Sequence, residues 1–290
     1  MPRGSPFTRL CQSISEVKPN IGADLHIHST FSDGDLTPAE IIHQASKVGL
    51  GACALTDHDT VAGVRQVWPG QHNQLEFIPG VEITSCYQGH IVHILGYYID
   101  PEADQLCSCL DSICQQRRER LHIIIDRIGD IHPDFRSQAG RLLDSNTGSL
   151  GRRHLAKLLV QMKAVSSLHQ AFSRYLNNST RRSMVPFGIP VERALAVIRN
   201  SGGVASLAHP SENITFTDLQ TLQKKGLAGL ECYYPWSKPK HGKKLKLWAT
   251  ELGLLNTGGS DYHGQDQKGR SIGSFGIPAA DLAKLKELRQ

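Results

Sequence analysis

The chain has 290 residues, enough to bury the core of one large domain or of one domain with a sizeable insertion. Apolar residues make up 39% and charged residues 20%, which excludes a disordered chain; the net charge of +5 suits an anionic substrate but falls short of the dense basic stripe of a duplex-binding module. No apolar run reaches the ~20 residues that span a bilayer. The start, MPRGSPFTRLCQSISEVKPN, lacks an apolar signal core, and seven cysteines without matched Cys-x-x-Cys pairs read as reduced thiols, so a cytoplasmic location is expected.

Residues 1–20 form an N-terminal tail. From residue 21 the pattern is short apolar strand, polar loop, amphipathic helix, repeated. IGADLHIH reads as a strand, and Thr37-Pro38-Ala39-Glu40 starts a helix, with a Thr N-cap, a Pro in the first turn and an early acid. GACALT is the next strand, VAGVRQVWPG a short helix, and LEFIPGVEITSCY and HIVHILGYYI two further strands. Residues 101–187 lose this rhythm; stretches such as LCSCLDSICQQRRERLHIIIDRI and RRHLAKLLVQMKAV carry helical spacing without a strand, and are read as a helical insertion. Alternation resumes with VERALAVIRNSG (helix), GVASLAHP (strand), FTDLQTLQKKG (helix), LAGLECYY (strand), HGKKLKLWATELG (helix), LLNTGGSDYHG (strand into loop) and AADLAKLKELRQ (helix). This is βαβ grammar, which predicts mostly parallel strands over 21–100 and 188–290.

The chemistry-bearing residues fall at strand ends, where function is expected in an α/β domain. In Asp24-Leu25-His26-Ile27-His28, side chains alternate faces, so Asp24, His26 and His28 share one side and both imidazoles can reach a single ion. His58 follows the strand GACAL; Asp57 and Asp59 point the other way and are read as supporting or capping residues. Glu82 lies between β-branched neighbours, where a carboxylate is expensive unless an ion or partner balances it. His93 points into protein, whereas His90 sits near a turn. His209 closes another strand, and Gly258-Gly259-Ser260-Asp261-Tyr262-His263 again sets a carboxylate and an imidazole two residues apart beside glycines that permit close approach. Asp33 lies in the loop after the first strand. Together His26, His28, Asp33, His58, Glu82, His93, His209, Asp261 and His263 exceed what one ion needs and suit two or three of manganese, iron or zinc, with magnesium also admissible. Such ions activate water and clamp phosphoryl oxygens, so a metal-bridging hydroxide is the expected nucleophile; no side chain is assigned as acid or base. His43, His72, His122, His132, His169 and His241 are read as solvated.

The segments DLHIHSTFSDGDLTP, LTDHDT, PGVEI, HILGY, AHP and GGSDYHG, in this order, resemble the PHP (polymerase and histidinol phosphatase) family of phosphoesterases over about residues 21–100 and 188–278. The resemblance implies an α/β fold, a distorted seven-stranded (β/α) barrel with the helical insertion as a cover domain. It also implies a trinuclear site, with His26, His28, Glu82 and Asp261 on one ion, Asp33, His58 and His263 on a second, and Glu82, His93 and His209 on a third. The insertion and the segment GRRHLAKLLV are similar to the RNase AM and nucleoside 3′,5′-bisphosphate phosphatase branch, whose members remove the 3′-phosphate of nucleoside 3′,5′-bisphosphates and trim short 5′-phosphorylated RNA. Arg152 and then His154 are the residues expected to meet the phosphate furthest from the metals. One departure is visible: that branch commonly carries Gly-Arg after AHP, where this chain has Ser211-Glu212, so phosphoester hydrolysis is more firmly implied than the particular substrate.

The expected partner is thus a small phosphate ester, a nucleotide or short RNA, with no duplex DNA, membrane or obligatory protein partner. The alternatives are a histidinol-phosphate-type phosphatase and a non-catalytic metal- or nucleotide-binding module; the latter would show eroded ligands, and all nine are present.

Overall fold

A computed structural model of the chain describes residues 21–70, 72, 74–145, 148–176, 187–264 and 269–289; the expected N-terminal tail lies outside these. The elements in chain order are β1 (Ala23–Ile27), α1 (Pro38–Lys47), β2 (Ala52–Leu55), α2 (Ala62–Val67), β3 (Glu76–Tyr87) and β4 (His90–Tyr97). Among the described residues four helices follow: α3 (Asp104–Gly129), α4 (Pro133–Ser145), α5 (Arg152–Gln161) and α6 (Leu168–Arg174). The chain then continues through β5 (Ile189–Pro190), α7 (Val191–Asn200), β6 (Val204–Leu207), α8 (Phe216–Lys224), β7 (Gly229–Tyr233), α9 (Pro239–Leu252), β8 (Leu255–Gly258) and α10 (Ala279–Glu287).

The main path of the sheet runs β1-β2-β3-β4-β6-β7-β8, seven strands that nearly close into a barrel, with the two-residue β5 added beside β3. Beyond β8, Ile27 pairs with Tyr262, and His28 N–H donates to the Tyr262 carbonyl at 3.0 Å, which brings the two ends of the sheet together. The expectation of parallel strands holds for the pairs β1–β2, β2–β3, β6–β7 and β7–β8. The exception is β4, which is antiparallel to both β3 and β6. Only two residues separate β3 from β4, and both are left-handed, Gln88 at φ 49° and Gly89 at φ 77°. That is the backbone of a tight hairpin, and it leaves no room for a crossover helix.

β3 serves both halves of the barrel. Its first residues, Glu76–Pro79, pair parallel with β2, and Gly80–Tyr87 pair antiparallel with β4. The switch falls at Gly80, where a Cβ would meet the Leu55 carbonyl oxygen at 2.9 Å and Glu82 is only two residues on. Helix starts are set locally. At α1, Thr37 Oγ1 accepts from Glu40 N–H at 3.3 Å while Glu40 Oε2 accepts from Thr37 N–H at 2.8 Å, a reciprocal cap.

The four helices after β4 have an apolar core of their own, in which Leu121, Ile125 and Ile128 of α3 meet Phe135 and Leu143 of α4 and Leu155 and Leu159 of α5. The first half of α3 belongs elsewhere: Leu106, Leu110 and Ile113 pack with Ile83, Ile94 and Ile198 of the barrel layer. One long helix therefore roots the inserted helices in the barrel wall.

Candidate metal centre

All nine predicted donors are brought into one cluster at one mouth of the barrel, with His26, His28, Glu82, Asp261 and His263 buried and Asp33, His58, His93 and His209 partly buried. His26 lies within β1, and five come from just after strands: His28 after β1, His58 after β2, His209 after β6, and Asp261 and His263 in the loop after β8. Glu82 and His93 lie within the β3–β4 hairpin, and Asp33 is delivered by the loop between β1 and α1.

Glu82 is the hub. Its Oε1 lies 2.9 Å from His93 Nδ1 and 3.0 Å from His209 Nε2. Its Oε2 lies 2.9 Å from His58 Nδ1, 3.3 Å from His26 Nε2 and 3.2 Å from His28 Nε2. Asp261 Oδ1 approaches both His26 Nε2 and His28 Nε2 at 3.2 Å. Asp33 Oδ1 is 3.2 Å from His263 Nε2 and 4.0 Å from His58 Nε2.

These approaches are not ordinary ion pairs. His26 Nε2, His28 Nε2, His58 Nδ1, Glu82 Oε2 and Asp33 Oδ1 are buried, and none makes a hydrogen bond. Five converging donors without hydrogen partners are what ligands aimed at a common centre look like. Ligands about 2.1 Å from a tetrahedral ion stand roughly 3.4 Å apart, close to the spacing among His26, His28, Glu82 and Asp261. Three groups have donor atoms near enough to share an ion: His26, His28 and Glu82; His28, Asp33, His58 and His263; and His58, Glu82 and His93. The residues present thus fit divalent metal, with His28, His58 and Glu82 each common to two groups.

Burial disfavours charge throughout the cluster, yet the facing groups prevail at most members. Asp261 and Glu82 push His28 up to about 10. The surrounding imidazoles hold Glu82 and Asp33 well below the usual carboxylate range. At His58 burial wins and the imidazole is pushed down to about 4, so it is neutral and ready to ligate at neutral pH.

A layer of partners orients these donors. Glu231 in β7 takes His26 Nδ1 at 3.0 Å, turning Nε2 inward, and its other oxygen accepts from His209 N–H at 2.6 Å. Asp57 accepts from Ser29 N–H at 2.7 Å and Ser32 Oγ at 2.5 Å, and Ser32 Oγ stands 3.4 Å from His28 Nδ1. Asp59 takes Thr84 N–H at 2.6 Å and Arg117 Nε at 2.5 Å. Asp57 and Asp59 thus support the site, as alternation predicts. Glu231 is a residue that sequence reasoning missed, although a carboxylate inside the apolar strand GLECY is the signal that singled out Glu82. His209 and Asp261 also have left-handed backbones, φ 24° and 47°, local strain of the kind found at functional sites. His241, expected to be solvated, is instead buried with Nε2 3.0 Å from the Pro210 carbonyl, and the Tyr234 hydroxyl donates to the same oxygen at 2.8 Å. Both hold the turn that carries His209.

Beside the cluster lies a cleft of about 130 Å³ with Asp33, His58 and His93 on one wall and the inserted helices on the other. The helices contribute Arg117, Arg120, Arg152, Arg153 and Phe172, and Phe187 completes the wall. Arg152 lines the cleft, with Nη1 donating to the Leu176 carbonyl at 2.9 Å. His154 does not line it; its Nδ1 accepts from Gly151 N–H at 3.1 Å at the start of its own helix. Arg153, not singled out beforehand, is the buried one, donating to the carbonyls of Asp33 at 3.1 Å and His263 at 3.4 Å. Glu212, the departure after AHP, turns to the surface and pairs with Lys238 at 2.8 Å, so it places no acid among the donors. A guanidinium does approach that edge: Arg270 Nη1 is 3.5 Å from Asp261 Oδ2, and its Cζ lies over the Trp236 ring, 4.2 Å from the centroid.

Comparison with known proteins places this geometry. The sequence profile of the PHP domain matches residues 24–105. The 5′-3′ exoribonuclease Rnm of Escherichia coli is 33% identical across 83% of this chain and 84% of its own length. A 3′,5′-nucleoside bisphosphate phosphatase of Chromobacterium violaceum is 32% identical across 86% of this chain and 90% of its own. Among solved structures, a Bifidobacterium adolescentis protein provisionally described as a metal-dependent phosphoesterase superposes with a TM-score of 0.82 at 26% identity, covering 94% of this chain and 98% of that one.

Proposed function

Because the chain belongs to the PHP family and is a metal-dependent phosphoesterase, we propose that its substrates are nucleoside 3′,5′-bisphosphates, from which it removes the 3′-phosphate, and short 5′-phosphorylated RNAs, which it trims from the 5′ end. The observation that carries this reading is the arginine-lined cleft against the donor cluster. A phosphate at the cluster leaves the sugar and a second phosphate to be housed, and Arg117, Arg120, Arg152 and Arg153 supply cations where that second phosphate would lie. Phe172 and Phe187 offer apolar surface for the nucleoside. The activities of the two relatives, on RNA and on a nucleoside bisphosphate, point the same way.

Three divalent ions are part of the proposal. His26, His28, Glu82 and Asp261 would hold one, Asp33, His58 and His263 a second, and Glu82, His93 and His209 a third. When bound, such ions lower the pKa of water towards neutrality and neutralise phosphoryl charge. The chain's own residues do the rest. Glu231 and Asp57 fix the imidazoles in the donor orientation, the inserted helices cover the mouth, and the cleft arginines set the ester in line. Water oxygen bonds to phosphorus, the bond from phosphorus to O3′ breaks, and O3′ leaves with a proton. A cytoplasmic location belongs to the same reading, supported by six described cysteines that are all free thiols.

The test is release of phosphate or mononucleotide from adenosine 3′,5′-bisphosphate, histidinol phosphate and a 5′-phosphorylated oligoribonucleotide with manganese added. Turnover of the first and third over histidinol phosphate is expected. Preference for histidinol phosphate would contradict the reading, and hydrolysis of none would favour a binding module.

A further inference from the structure

The cleft accounts for the first nucleotide of an RNA and leaves the remainder of the chain without a path. An RNA whose first internucleotide phosphate lies at the donors must depart from the same phosphorus in another direction. The edge of the cluster formed by His209 and Asp261 offers one. Trp236, 44% exposed, lies 5.4 Å from the His209 ring, and Arg270 stacks on it; neither lines the cleft. The start of α9 continues from that edge, tied there by the contact of His241 with the Pro210 carbonyl. It carries the segment KPKHGKKLKLW, in which Lys238, Lys240 and Lys243 are exposed and Lys244 lies 4.6 Å over the Trp248 ring. The acid facing this run is Glu212, paired with Lys238. Composition as a whole lacks the basic, aromatic-laced stripe of a nucleic-acid binder, yet the fold collects one locally, in order: Arg270, Trp236, Lys238, Lys240, Lys243, Lys244.

We propose that this strip is the track for single-stranded RNA downstream of the scissile phosphate, entered at Arg270 and Trp236 and continued along the lysines of α9. The inference rests on the RNA-trimming reading above. Lys240 and Lys244 are about one helical turn apart, with Lys243 beside them, so their ammonium groups present a continuous cationic ridge. Phosphate contacts of this kind supply sequence-independent affinity that falls with salt.

The experiment is the double variant K240E/K243E, which leaves the donors, the cleft and Trp236 untouched. Steady-state kinetics are measured on adenosine 3′,5′-bisphosphate and on a 5′-phosphorylated octaribonucleotide, together with anisotropy of the same octamer carrying a 3′ fluorophore. The bisphosphate should be turned over as in the parent enzyme. For the octamer, KM and Kd should rise about tenfold with kcat nearly unchanged, and the slope of log Kd against log salt should shrink by about 1.4, roughly 0.7 per lost phosphate contact. Equal loss on both substrates, or an octamer Kd and salt slope like the parent's, would overturn the track. A parent enzyme that hydrolyses neither substrate would instead overturn the functional reading, while the anisotropy still reports on the lysines.

Discussion

At the residue scale the site turns on Glu82, whose two oxygens meet five imidazoles from four segments of the chain. A carboxylate so surrounded, fully buried at the mouth of a barrel, has no role in holding the fold that an apolar side chain would not fill at lower cost. Its orientation depends on the imidazoles, and theirs on partners behind them, of which Glu231 does most because it holds both His26 and the backbone of His209. Replacing it as Glu231→Ala should lower metal affinity by about 10- to 100-fold, read by competition with a chromophoric chelator. Unchanged affinity would remove Glu231 from the account. The nine candidate donors were legible in the sequence because each sits where a polar side chain is costly: on an apolar strand, at its end, or beside glycines. Glu231 carries the same signal but has no histidine near it in sequence, and its partners come together only through the sheet. Arg152 and Arg153 are adjacent, and only the packing of α5 against the loop of Asp33 shows which of them is buried.

At the element scale, each strand on the main path of the sheet and each barrel helix was visible from periodicity and capping, down to the Thr37 cap of α1; the two-residue β5 was not. What periodicity could not give was direction. β4 alternates like any strand, and only the left-handed pair Gln88-Gly89 turns it antiparallel; with Gln at the first position, the turn lacks the Asn-Gly signature that marks such hairpins. Close approach between elements was legible only as glycine. The loop after β8 passes so near β1 that a Cβ on Gly259 would meet the Cβ and backbone nitrogen of His26 at 2.4 Å. Gly259→Ala should therefore push Asp261 and His263 away from His26 and His28, at a cost of about 1–3 kcal/mol in stability. The expected readouts are a lowered thermal midpoint and loss of bound metal. A variant that keeps a full metal complement would show that the loop is less constrained than this packing implies.

At the scale of the whole molecule, the barrel gathers donors that span residues 26 to 263 at one mouth, and the inserted helices wall the cleft beside it. The motif order in the sequence was enough to anticipate the barrel. It was not enough to show that α3 divides its packing between barrel and insertion, or that Glu212 turns outward and leaves that edge of the cluster to Arg270. Those outcomes depend on which surfaces meet, which no local pattern encodes. The central claim remains the multi-metal cluster, since hydrolysis, the cleft and the RNA track all take their positions from it. It is tested most directly by elemental analysis of protein purified without chelator, paired with hydrolysis of adenosine 3′,5′-bisphosphate before metal removal, after it and on metal return. The account predicts more than one equivalent of manganese, iron or zinc per chain, with activity lost and regained alongside the metal. One equivalent or less in fully active enzyme would contradict it.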